Sequence, residues 1–133
     1  MPLIQLAPLI AIAALVVVAL VIMTSSGKPR RQSSVFPAIL SLLFLAWSVV
    51  TIIVEGPLGF WTEHTGDLWG NQIWFDLLIA IGIGWFFIVP PAKALGMRLP
   101  LWLVFIICTG CIGFLAMLSR FLYLREKAET STS

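Results

Sequence analysis

Ionisable side chains are scarce in this sequence: 11% of its 133 residues are charged, where a soluble domain carries roughly 25%. Such a chain cannot be solvated by water, which excludes a soluble globular domain. Histidine occurs once, at His64, and cysteine twice, at Cys108 and Cys111; together they fall short of the four ligands of a tetrahedral zinc site. Glycine-rich phosphate loops and nucleophile elbows are absent, so nucleotide chemistry and serine-based hydrolysis have no local signature. The formal charge is only +2, too little for a nucleic-acid footprint. No cofactor or metal is expected, and an enzyme is the less favoured reading.

What fills the chain is apolar surface. Hydrophobic residues make up 60% of it and the mean hydropathy is +1.06. Four runs, 3–23, 35–54, 73–89 and 101–124, each have the length that a hydrocarbon layer of about 30 Å demands of a helix. The expectation is an all-α integral membrane bundle of four transmembrane helices with short loops, one membrane domain over 1–133 with a polar tail at 125–133. The bilayer is then an obligatory partner, and the chain itself or another integral membrane protein a further one.

The charges fall in the gaps. Lys28, Arg30 and Arg31 follow the first run, Glu63 and Asp67 lie in the second gap without any Lys or Arg, and Lys93 and Arg98 lie in the third. The positive-inside rule then puts the two basic loops in the cytoplasm and both termini outside. Arg120, Arg125 and Lys127 fit this badly, since a fourth crossing would carry the tail outside. Positive charge behind the first run rather than ahead of it also favours a retained helix over a cleaved signal peptide.

Local signals mark the ends of the helices. Ser33 or Ser34 is suited to cap the second, with Pro37 in its first turn. Pro57 and Gly59 close it, Pro90 and Pro91 end the third, and Pro100 opens the fourth. The runs Asp76-Leu77-Leu78, Trp85, Leu95-Gly96-Met97-Arg98, Leu101-Trp102-Leu103, Gly113 and Arg120-Phe121-Leu122-Tyr123-Leu124-Arg125-Glu126 resemble a family of small bacterial multi-pass membrane proteins of unknown function. The resemblance covers mainly the C-terminal half. It implies a helical bundle in the bacterial inner membrane and leaves the activity open.

Three features bear on function. Cys108-Thr109-Gly110-Cys111 is a C-x-x-C pair, which can act as a redox dithiol or as half a metal site, yet it falls in the middle of the fourth run. Gly110, Gly113 and Ala116 recur there every three residues and, with Gly82 and Gly84 on the third run, form small-residue surfaces for close helix packing. Asp76 lies about one turn inside the third run, where an acid faces the bundle interior or water. Arg120 is its expected ion-pair partner, at a height of ~28 Å against ~20 Å for Asp76.

Phe60, Trp61, Trp69 and Trp74 form one interfacial belt, and Trp102 anchors the other boundary. The favoured function is a noncatalytic structural or accessory membrane subunit. The alternatives are a small oligomeric transporter with Asp76 or Glu55 as coupling acid, and a thiol oxidoreductase using Cys108 and Cys111.

Overall fold

The computed structural model describes residues 3–24 and 34–131. Among them every regular element is an α-helix, and the chain divides into two compact units, Met1–Arg30 and Arg31–Ser133. The first unit contains α1 (Leu3–Thr24), whose final hydroxyl, on Thr24, donates back to the Leu20 carbonyl at 2.9 Å. Lys28, Arg30, Arg31 and Ser33, to which the sequence assigns topology and capping roles, lie outside the described residues.

The second unit contains α2 (Val35–Glu55), α3 (Gly59–Thr65), α4 (Leu68–Ala94), α5 (Leu99–Thr109) and α6 (Cys111–Ser131). Three segments, Leu6–Thr24, Val35–Glu55 and Leu68–Ala94, are long and apolar enough to cross a membrane. The expected fourth crossing over 101–124 does not form. It is broken at Gly110, whose φ of +60° and ψ of −127° suit only a residue without a Cβ. At 11 residues α5 is about 16 Å long, half of a hydrocarbon core.

Beyond the break α6 turns back along α5. Arg120 and Leu124 of α6 line the same groove as Met97 and Arg98, although 22 residues of straight helix would separate Arg98 from Arg120 by about 33 Å. Gly113 lies so close to α5 that an added Cβ would sit 3.1 Å from the Ile106 Cα. The polar tail therefore returns to the end of the unit that carries Lys93 and Arg98. The expectation that the loop carrying Lys93 and Arg98 lies at the opposite end from the C-terminal tail is corrected by this reversal.

α2 runs antiparallel to α6. Two hydroxyls fix the register: Ser41 Oγ, buried, donates to the Ile112 carbonyl at 2.9 Å, and Ser119 Oγ donates to the Ser34 carbonyl at 2.8 Å. Seven residues separate the two contacts on each helix. Ser34 stands at the N-cap of α2 without a side-chain cap bond, because its φ and ψ are already helical. Pro37 falls in the first turn as expected, and Gly56, at φ +88°, ends the helix.

α4 is longer than the apolar pattern suggests. Asp67 caps its start, accepting the Gly70 N–H at 2.6 Å. At the far end the helix runs through Pro90 and Pro91 to Ala94, so the prolines do not terminate it. Each proline removes one N–H, which a membrane helix tolerates, and the stop comes three residues later. There Gly96, at φ +74°, donates to the Lys93 carbonyl and Met97 N–H to the Ala92 carbonyl at 3.1 Å, the Schellman closure of a helix C-terminus. Met97 and Ala92 both enter the buried core, joined there by Ile88, Ile106, Met117 and Phe121. Pro100 stands in the first turn of α5, as expected.

Candidate functional site

The reversal at Gly110 gathers five basic residues at one end of the second unit, with Glu126 and Glu129 of the tail beside them. Lys93 and Arg98 at the α4–α5 turn, and Arg120, Arg125 and Lys127 on the returning α6, share one end. Glu55 at the last position of α2, Glu63 in α3, Asp67 at the α4 cap and Asp76 in its third turn occupy the other half. In sequence terms alone the tail was the misfit of the positive-inside pattern. Once α6 doubles back, the tail joins the basic end.

Asp76 and Arg120 are not brought together. Asp76 precedes Leu95 by 19 residues, about 28 Å along α4, while Arg120 lies level with Met97 and Arg98. The expected ion pair assumed a straight fourth helix. Asp76 is exposed on α4, and Arg120 places its guanidinium 5.5 Å from the centre of the Tyr123 ring, a cation–π distance. Among the described residues, Arg125 pairs with Glu129, one helical turn further along the tail, at 3.9 Å.

Arg120 stands between two grooves. One, of about 480 Å³, lies between α5 and α6 and includes Arg98, Trp102 and Phe105. The other, of about 430 Å³, lies between α2 and α6 and includes Ser34, Ser119 and Tyr123. Ala116 lines this second groove, where its small side chain lets α2 approach.

The remaining small residues differ in role. An added Cβ on Gly84 would fall 2.6 Å from the Phe114 ring, so this glycine marks the close approach of α4 to α6. Gly82 has open space around it, and Gly110 serves the bend. Both cysteines are free: Cys108 is exposed in the last turn of α5 and half-buried Cys111 opens α6. No group of three His, Cys, Asp or Glu side chains among the described residues is placed to hold a metal ion.

The outer segment is more ordered than a plain turn. α3 folds against the start of α4, with the His64 ring 5.2 Å and the Phe60 ring 6.3 Å from that of Trp74. His64 Nδ1 meets the Phe60 carbonyl at 2.5 Å, and the backbone of Gly70 packs directly on the Glu63 carbonyl. Trp102 lies at the basic end, with its ring 6.2 Å from Phe105. Sequence reasoning passed over Ser41 and Ser119, whose only signal is a lone hydroxyl inside an apolar run.

Among the described residues the arrangement is all-helical, with three helices long and apolar enough to cross a membrane and a hairpin of the 11-residue α5 and the 21-residue α6. Comparison with protein-family models, with curated proteins and with solved structures finds no match.

Proposed function

We propose that this chain is a noncatalytic integral membrane protein, a small structural or accessory subunit whose apolar helix faces dock on a second copy or on another membrane protein. The observation that carries the reading is the short hairpin. It packs against the inner parts of α2 and α4, and the outer parts of both helices keep large apolar side chains exposed, Ile53 at 76% and Ile79 at 60% among them. Lipid covers such surfaces, and so does a neighbouring helix with small residues at the contact. The basic end is the cytoplasmic one, an orientation supported by the gathering of Lys93, Arg98, Arg120, Arg125 and Lys127 there. A bacterial inner membrane and kinship with small multi-pass bacterial proteins belong to the same proposal.

Native mass spectrometry of the protein extracted in mild detergent tests the reading. The expected result is a stoichiometric assembly, either of identical chains or with one integral membrane partner. Solute uptake by the protein in proteoliposomes, with uptake lost in Asp76→Asn or Glu55→Gln, would replace the subunit by a small oligomeric transporter. That second reading has one supporting observation, since helices broken at mid-depth also line substrate paths.

A further inference from the structure

The groove between α5 and α6 joins two cations to an apolar wall. Arg98 stands at its mouth, at the N-cap of α5, and Arg120 faces it from α6; Leu101, Trp102, Phe105 and Leu124 supply the apolar lining. Both arginines are exposed, and neither has a carboxylate within ion-pairing distance among the described residues. Only the reversal at Gly110 brings them to one cavity. Two cations lining one groove favour an anion between them.

The geometry selects the anion. Arg120 holds its guanidinium 5.5 Å from the centre of the Tyr123 ring, and with no carboxylate partner among the described residues its N–H groups are available to donate to a phosphate. With the basic end at a membrane surface, Trp102 in the first turn of α5 would meet the head groups. Leu101 and then Phe105 follow the helix toward the bend, in the direction an acyl chain takes. A free phosphate would leave that apolar wall uncovered, and a zwitterionic head group brings its own cation into the mouth.

We propose that this groove binds an anionic phospholipid, with its phosphate between Arg98 and Arg120 and an acyl chain along Leu101 and Phe105. The inference rests on the reading that the basic end lies at a membrane surface. It goes beyond general attraction of basic residues to an acidic leaflet, because it assigns two residues from different helices to one head group.

The test uses the full chain in micelles, titrated with phosphatidylglycerol or phosphatidylcholine and read by native mass spectrometry. Phosphatidylglycerol is expected to bind at a concentration lower by about fivefold or more, and Arg98→Gln and Arg120→Gln each to weaken it about fivefold, as loss of one basic contact implies. Lys127→Gln, outside the groove, is expected to change it by less than about twofold on the same scale. Arg120→Lys keeps the charge but loses the fork, and gives a partial loss even if the Gln variant fails to fold.

Equal binding of the two lipids, or equal losses in Lys127→Gln and Arg98→Gln, would overturn the proposal in favour of diffuse attraction. Displacement of the lipid by glycerol phosphate at comparable concentration would overturn it in favour of a soluble phosphate site. Failure of the membrane reading would show separately, as loss of the protein from the membrane fraction.

Discussion

Replacing Gly113 by alanine tests the hairpin most directly. Its new Cβ would lie 2.6 Å from Thr109 Oγ1, 3.0 Å from the Phe105 carbonyl oxygen and 3.1 Å from the Ile106 Cα. The hydroxyl cannot swing aside freely, because it donates to that same Phe105 carbonyl at 2.7 Å, and the other two neighbours are backbone. Relief therefore requires α6 to move off α5. Gly82 is the control, with nothing within 4 Å of its added Cβ. Both changes gain the same helix propensity, up to about 1 kcal/mol, so the gain cancels in the comparison. What is left is the overpacking cost at Gly113, about 1–3 kcal/mol. Unfolding in mixed micelles by added SDS, followed by tryptophan fluorescence, measures it. Gly113→Ala is expected to unfold more easily than Gly82→Ala by that amount, and Gly113→Leu to lose at least ~1 kcal/mol against the parent. Equal stabilities of Gly113→Ala and Gly82→Ala would refute the close contact.

Three further outcomes are expected. In a background lacking Cys108 and Cys111, single cysteines at Thr130 and Ala94 should react with a membrane-impermeant thiol reagent from the same side, and Thr65 from the other; shared labelling of Thr130 and Thr65 would mean that α6 crosses. Ser41→Ala should cost about 0.5–1.5 kcal/mol in the same unfolding assay, since it removes a hydrogen bond between helices; no loss would show that the bond contributes nothing. A double-mutant cycle of Asp76→Asn and Arg120→Gln should be additive within about 0.5 kcal/mol, as for distant sites, whereas a larger coupling would contradict their separation along α4.

The apolar runs of α1, α2 and α4 were legible because length and hydropathy alone decide them. The fourth run misled for a physical reason. Hydropathy averages over Gly110 as if it were any small residue, and what breaks the helix is a backbone angle that no composition window records. Gly110 was read as packing surface and proves to be the bend, and the Asp76–Arg120 pairing fell with it. At the end of α4 the prolines drew the boundary too early, although Gly96 followed by an apolar residue is itself the sequence mark of a Schellman stop. Asp67, three residues before Gly70, is a readable cap, although its charge drew attention only to topology. The grooves beside Arg120 were not legible at all, since they depend on which residues 22 positions apart come to one level.

The bend has a consequence for the backbone around it. Where one helix ends and another begins, backbone N–H and C=O groups lose the partners that a continuous helix would give them. Gly110 N–H still reaches the Ile106 carbonyl at 2.6 Å, and Phe114 N–H the Gly110 carbonyl at 3.2 Å. Hydrocarbon offers nothing to the remainder, and each bare group there would cost several kcal/mol. With the basic end at a membrane surface, a turn about 16 Å in from it requires a polar partner for each of these groups. The reach of α5 is thereby tied to the polar groups that meet its end, while the lengths of α2 and α4 suit the thickness of the whole hydrocarbon layer.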